Sequence, residues 1–194
     1  MHAKLIQTYS HTNAFYELQH EHQIFYRAML TPYANFCAFE TFKDGALFLE
    51  ITEHSDDKYH RFDLIRDEQI CGELYTFKEF MKPLKIALHI DSRKYIAYPI
   101  NIGNNVFACA IYDGSQLIGL IEKHGEIDAH RDIFDVYWQD SIYSDIIALF
   151  GFYCDAVFYQ NRGNYRTGKR NLRIKKANRK TLQMYNPMFK DLCE

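Results

Sequence analysis

The sequence predicts a mainly β protein, a closed antiparallel barrel of about twelve strands around a C-terminal hydrophobic helix. The chain alternates about twelve short, strand-like runs with turn signals, and no long amphipathic helix interrupts them. The most apolar segment, Asp140–Gln160, follows the last run. At 194 residues and 47% hydrophobic, the chain is long enough to bury one real core.

The strand prediction is based on alternation of apolar and polar residues. In "LKIALHI", Leu84–Ile90, every second side chain is apolar, which is the period of a half-buried strand. The same alternation predicts an inward orientation for Leu47, Leu49 and Ile51, for Phe62 and Leu64, and for Phe134, Val136 and Trp138.

The connections between these runs carry hairpin chemistry. They read "KDG" at 43–45, "IDSRK" at 90–94, "IGNN" at 102–105 and "YDGS" at 112–115. Asp, Asn and Gly tolerate the positive φ that tight β-turns need, so these segments predict antiparallel neighbours. Closing such a sheet into a barrel removes its exposed edges and gives a buried helix its surroundings.

The segment Asp140–Gln160 predicts a buried helix, with Asp140 or Ser141 as its N-cap. Its apolar residues lie on all sides of the helix: Ile142, Ile146, Ile147, Leu149, Phe150, Phe152, Val157 and Phe158. In a bilayer these would contribute about −2 to −5 kcal/mol, whereas Asp145 and Asp155 would cost roughly 2.5 to 3.5 kcal/mol each. We therefore expect burial in protein and no transmembrane span.

Asp155 stands in the apolar helix as a buried polar residue. A buried carboxylate must be paired, hydrogen-bonded or neutral. We expect a bond to the backbone or to a basic residue such as Arg162, and a structural role; a ligand-sensing role is the alternative.

Three segments of the C-terminal half resemble a known family. They are "YDGSQLIGLIEK" (Tyr112–Lys123), "RDIFDVYWQD" (Arg131–Asp140) and the helix end "CDAVFY" (Cys154–Tyr159). Together they resemble the LURP-one-related proteins, which are grouped with tubby C-terminal domains and phospholipid scramblases. The resemblance implies a tubby-like domain over 1–160, with twelve strands around a central helix at about 141–160. Tubby domains bind phosphoinositides and scramblases act at membranes, but no lipid-binding residue of that family matches a position here.

The C-terminal extension, 161–194, differs sharply in charge from the rest of the chain. It carries 10 Lys and Arg against 2 acidic residues, whereas 1–160 carries 13 against 23. Such a basic run binds phosphate groups of a bilayer surface or of nucleic acid. The predicted anion-binding residues are Arg162, Arg166, Lys169, Arg170, Arg173, Lys175, Lys176, Arg179 and Lys180.

These features predict a non-enzymatic binding or scaffold module that acts at anionic phospholipid surfaces through its basic tail. A nucleic-acid-associated accessory protein is the first alternative. A tail that is solvated, or one that folds back on the acidic barrel, needs no ligand at all. The third functional class is a lipid-modifying or metal-dependent enzyme. No phosphate-binding loop, nucleophile elbow or His-Glu-x-x-His motif occurs, so we predict no enzyme activity and no cofactor.

Two groups of residues are weak metal candidates. His20 and His22 in "QHEHQ" would share one face of a strand, but the stretch reads better as a solvated hairpin tip. His124, Glu126, Asp128 and His130 lie in what reads as a plain polar connection. No metal site is predicted.

The five cysteines are scattered, and no Cys-x-x-Cys pair occurs. The N-terminal sequence has no apolar core typical of a signal peptide. A reducing cytoplasm, with peripheral attachment at the inner membrane face, is the predicted location.

Overall fold

The computed structural model describes residues 1–9, 13–33, 36–54, 60–80, 82–103, 106–123, 131–158, 174 and 176–193. Twelve antiparallel strands form a closed barrel, each pairing with its sequence neighbours, and β1 pairs with β12 to close it. The strands are β1 His2–Tyr9, β2 Ala14–His20, β3 Gln23–Pro32, β4 Cys37–Lys43, β5 Ala46–Glu53, β6 Arg61–Arg66, β7 Gln69–Lys78, β8 Leu84–Ile90, β9 Arg93–Gly103, β10 Val106–Asp113, β11 Gln116–Lys123 and β12 Arg131–Trp138. The predicted fold class is confirmed.

The two ends of the barrel differ in their connections. At one end, which we call the hairpin end, two-residue turns at 21–22, 44–45, 67–68, 91–92 and 114–115 join the strands. Residues in positive φ form these turns, among them Asp44, Gly45, Asp91 and Gly114, as the turn chemistry predicts. The opposite end carries the remaining connections, including 54–60 and 79–83, and we call it the loop end.

A helix fills the barrel. A short 3₁₀ turn, Ser141–Tyr143, leads into α1, Ser144–Phe158, which runs from the hairpin end to the loop end. The Asp140 side chain caps the turn by accepting a hydrogen bond from the Ile142 backbone N–H at 3.0 Å. Every residue from Ile146 to Phe158 is buried, so the predicted location of the helix in protein is confirmed. By length and composition alone, Ser141–Phe158 could cross a membrane, but 72% of it is buried inside the protein.

A glycine allows the helix to approach the barrel wall. A Cβ at Gly119 of β11 would lie 2.1 Å from Cδ1 of Ile147, so any side chain there would force the end of Ile147 to move. Gly151, on the helix, faces Leu5 more loosely, because its Cβ would make a tight contact of 3.0 Å with Cδ2.

Two apolar residues lie elsewhere than the sequence predicts. Leu47 is 56% exposed because the β4–β5 register shifts between Thr41 and Phe42 and changes the alternation at the start of β5. Ile142 is 67% exposed because the 3₁₀ turn holds it at the barrel mouth rather than inside.

The C-terminal residues 174 and 176–193, which we call the strap, pack on the outer face of β9 to β12. The strap contains α2, Arg179–Leu182, and a 3₁₀ helix, Pro187–Leu192. Phe189 and Cys193 form a second, smaller core with outward side chains of the barrel, namely Ile100, Ala108, Ala110 and Leu120. The domain boundary after residue 160 stays a prediction, but this part of the extension is in contact with the barrel.

A buried carboxylate also holds the strap. Glu122 of β11 accepts hydrogen bonds from the Tyr185 hydroxyl at 2.5 Å and from the Lys190 ammonium at 2.6 Å. Burial, reinforced by the bond to Glu122, raises the pKa of Tyr185, so its hydroxyl keeps its proton and remains a donor. Tyr112 donates a further bond to the Met184 carbonyl at 2.9 Å.

Candidate functional site

Most of the buried, inward-facing polar side chains in the described part of the barrel lie near the loop end. Asp155, near the end of α1, is fully buried and accepts a hydrogen bond from the Tyr16 hydroxyl at 3.0 Å. That hydroxyl in turn accepts a bond from Nε2 of Gln7 at 3.0 Å. One partner of Asp155 is therefore a strand tyrosine, which the sequence pattern does not single out; Arg162, the basic partner suggested by the sequence, lies outside the described residues.

A second network surrounds Glu53 at the end of β5. Its carboxylate lies 2.6 Å from Nδ1 of His60 and accepts bonds from the backbone N–H and the thiol of Cys37. The Tyr153 hydroxyl donates to the His60 carbonyl at 2.7 Å, which links the helix to this network. Burial raises the pKa of Tyr153 well above its usual value, so the hydroxyl stays a donor.

Lys123 and Asp132 form a third buried polar group, an ion pair between β11 and β12. Gln7 stands opposite both Asp132 and Tyr16 in the strand register, so these polar side chains follow one another across β12, β1 and β2. Removing one member of such a network leaves its partners unsatisfied in a low-dielectric interior. We read the first two groups as contacts that fix the end of α1 in the barrel, and the third as a link between β11 and β12.

The surface of the loop end contains a basic cleft, which we call the lysine cleft. It lies where the strap meets the β7–β8 connection and has a volume of about 340 Å³. Its lining residues are Lys78, Lys82, Pro83, Leu84, Pro99, Ile174, Lys176, Ala177, Asn178 and Thr181. The strap is held there by backbone pairing between Asn101 and Lys176 and by a 3.0 Å bond from the Ala177 N–H to the Asn101 carbonyl.

The charges around the lysine cleft are mostly positive. Lys78, Lys82 and Lys176 are exposed, and within the described part of the chain Lys78 and Lys176 form no ion pair. Glu79 is the acidic neighbour, and its pKa is lowered by hydrogen bonds from Lys82 and Lys85. Among the described residues, Lys78 and Lys176 therefore present two ammonium groups outside any ion pair, and these can receive an anion.

The hairpin end has the opposite character. Its turns carry acidic residues, namely Glu21, Asp44, Asp67, Glu68 and Asp91, and Asp113 ends the strand before the last turn. Some of this charge is paired, as in the 3.4 Å contact between Arg66 and Asp91. The molecule thus presents acidic groups at one end and the lysine cleft at the other.

Three of the predicted anion-binding residues lie in the described strap. Lys176 lines the lysine cleft, and Arg179 and Lys180 are exposed in the first residues of α2, after the cleft residue Asn178. The other six lie outside the described residues: Arg162, Arg166, Lys169, Arg170, Arg173 and Lys175. The structure brings Lys176 together with Lys78 and Lys82, which sequence reasoning missed.

The sequence around Lys78 and Lys82 gives only local information about these two lysines. The β7–β8 connection reads "KEFMKP", a basic and apolar stretch. It lies about 100 residues before the strap in sequence, and only folding brings the two segments together. Nothing in the linear pattern distinguishes it from an ordinary exposed connection.

The metal candidates do not form a site in the described residues. His20 ends β2 and His22 lies in the following turn, and both are exposed, as expected for a solvated tip. His124, Glu126, Asp128 and His130 lie outside the described residues. Among the residues described, no group of three or more His, Cys, Asp or Glu side chains is placed to hold a metal ion.

Comparisons with protein-family models, with curated proteins and with solved structures give no match to this chain. The barrel and the surface chemistry of its loop end are therefore the features from which a function can be inferred.

Proposed function

We propose that this protein is a non-enzymatic binding module that attaches its loop end to anionic phospholipid surfaces. The observation that carries the proposal is the lysine cleft, in which Lys176 of the basic extension joins Lys78 and Lys82 of the barrel. A relationship to LURP-one-related and tubby-like proteins is part of the proposal, and the barrel with its enclosed helix supports it at the level of architecture.

Electrostatics favour one orientation on such a surface. Each basic residue near an anionic membrane contributes about 1 kcal/mol. With the loop end facing the lipid, Lys78, Lys82 and Lys176 approach the headgroups while the acidic turns of the hairpin end point away. The reverse orientation would bring Asp67, Glu68 and their neighbours against like charge.

The cleft favours phosphate groups over nucleic acid bases. Its volume of about 340 Å³ fits a compact headgroup. Its lining contains no aromatic ring among the described residues, and Phe80, in the same connection as Lys78 and Lys82, is exposed to solvent and is not part of the lining. Proteins that bind single strands usually stack bases on aromatic side chains. Nucleic acid binding is the outcome that would replace the lipid proposal.

The test is co-sedimentation with vesicles of phosphatidylcholine, with and without phosphatidylserine, at about 50 and about 200 mM salt. The wild-type protein should bind only the anionic vesicles, and less at the higher salt. The double variant Lys78→Gln, Lys176→Gln should bind roughly 30-fold more weakly, since two residues at about 1 kcal/mol each are neutralised.

The matched control is Lys94→Gln, because Lys94 is exposed at the hairpin end. Its binding should equal that of the wild type. Equal losses in both variants would show a general charge effect and contradict the proposed site. A wild-type protein that ignores anionic vesicles but shifts single-stranded RNA would replace lipid with nucleic acid.

A further inference from the structure

The β7–β8 connection exposes a large aromatic side chain beside the lysine cleft. Phe80 is 92% exposed, more than any other large hydrophobic residue in the described part of the chain. It lies between Lys78 and Lys82, both of which line the cleft. An exposed phenyl ring flanked by two lysines is typical of segments that insert into a membrane interface.

The neighbouring charges leave the ring accessible. Glu79 is engaged by Lys82 and by Lys85, whose Nζ lies 3.2 Å from Oε1, so its negative charge is balanced within the connection. Tyr33, in another loop of the same end, is 49% exposed and stacks on Phe36 with ring centroids 4.5 Å apart. The loop end therefore combines exposed aromatic rings with exposed lysines.

The hairpin end lacks this combination. Its exposed large apolar residues in the described chain are aliphatic, namely Met1, Leu47, Ile70 and Ile142, and Leu47 and Ile70 stand beside the acidic turns at 44–45 and 67–68. An anionic surface repels those turns, so contact through the hairpin end is electrostatically unfavourable. Among the described residues, the loop end alone combines a strongly exposed aromatic ring with lysines that complement anionic lipid.

We infer that the β7–β8 connection is a shallow membrane anchor, in which Phe80 enters the acyl-chain boundary while Lys78, Lys82 and Lys176 contact anionic headgroups. This inference rests on the proposed function and deepens it, because it assigns the ligand as an intact bilayer surface rather than a free phosphorylated molecule. Insertion of the ring into the interface requires no movement of the barrel, since Phe80 already projects into solvent.

The experiment places a fluorescent reporter in the connection. The Phe80→Trp variant is titrated with phosphatidylcholine and phosphatidylserine vesicles containing lipids brominated in the acyl chains, and co-sedimentation is measured on the same samples. The native Trp138 is 1% exposed, so its fluorescence is a constant background, which is measured with the wild-type protein and subtracted. The matched control is Ile70→Trp, at an exposed position of the hairpin end.

The expected result is a blue shift and quenching for Phe80→Trp with anionic vesicles, none with phosphatidylcholine alone, and none for Ile70→Trp. Phe80→Ala should weaken vesicle binding about tenfold or more, the usual effect of losing one buried phenyl ring. It should leave the weaker binding of soluble glycerophosphoserine unchanged, because that ligand offers no acyl region.

The outcomes separate the two proposals. Vesicle binding that persists in Phe80→Ala, together with an unquenched Phe80→Trp variant, would overturn the anchor and leave the lipid-binding function standing. Glycerophosphoserine bound as tightly as vesicles would also overturn it. A wild-type protein that does not sediment with anionic vesicles would overturn both.

Discussion

At the scale of single residues, the interior of the barrel depends on a few polar contacts. The Tyr16 hydroxyl is the central one, because it accepts from Gln7 and donates to Asp155, and all three residues are buried. The contact joins residues 139 positions apart in the chain. It therefore fixes the end of α1 against β2 in a way that apolar packing alone does not specify.

We expect Tyr16→Phe to lower the free energy of unfolding by about 1 to 3 kcal/mol, because it leaves Asp155 and Gln7 without this partner while keeping the ring. Urea unfolding, followed by fluorescence of Trp138, measures the change. The control is Tyr33→Phe, at a half-exposed loop position, where a change within about 0.5 kcal/mol is expected. Equal stability of Tyr16→Phe and wild type would show that the hydroxyl contact is dispensable.

The residue scale also shows where sequence reasoning stops. Burial of Asp155 in the apolar helix calls for a partner, and that much follows from its neighbours in sequence. The identity of the partner does not, because Tyr16 reads as an ordinary inward strand residue until the barrel closes. The proximity of Lys78 and Lys82 to Lys176 cannot be predicted either, since it arises only from the tertiary structure.

At the scale of elements, local patterns were sufficient for most of the fold. Alternation in Leu84–Ile90, turns such as Asp44-Gly45 and the apolar run of α1 each appear as expected. The predicted inward orientation of Leu47 is wrong because a register shift in the β4–β5 pair interrupts the alternation of inward and outward side chains. Such irregularities leave little trace in the sequence. The sequence leaves open whether the C-terminal extension is solvated or folds back on the barrel, because its apolar residues are sparse.

The central helix gives the second prediction. Phe150 is fully buried, whereas Ile142, on the preceding 3₁₀ turn, is 67% exposed. Phe150→Ala should lower the free energy of unfolding by roughly 3 to 5 kcal/mol, the usual cost of emptying a buried aromatic site. Ile142→Ala, the control in the same segment, should change it by less than about 0.5 kcal/mol. Similar melting temperatures for both variants would place Phe150 outside the core.

At the scale of the whole molecule, two cores share one wall of the barrel. The inner face of β10 and β11 packs on α1, and their outer face packs on the strap through Ala108, Ala110 and Leu120. The twelve strands and α1 as described all precede residue 159, so we expect the barrel to close without the strap. The strap instead covers an apolar outer face and completes the lysine cleft with Lys176.

Truncation after Gly163 tests this division directly. The shortened protein should still unfold cooperatively, because the closed barrel and α1 remain, but at a lower temperature, because Phe189 and Cys193 no longer cover Ile100 and Leu120. The newly exposed face should bind a hydrophobic dye in the folded state, which the full chain should not do. Binding to anionic vesicles should fall at least as far as in Lys78→Gln, Lys176→Gln.

Phe189→Ala is the companion variant in the full-length protein, since it removes the apolar anchor of the strap and keeps every basic residue. It should also increase dye binding, yet retain more vesicle affinity than the truncation, because the charges of the extension remain attached. If the truncated chain is unfolded, the strap belongs to the folding unit and the boundary at 160 is wrong. If it folds and binds anionic vesicles as well as the full chain, the site lies on the barrel without the strap, and Lys78, Lys82 and Phe80 alone must account for it.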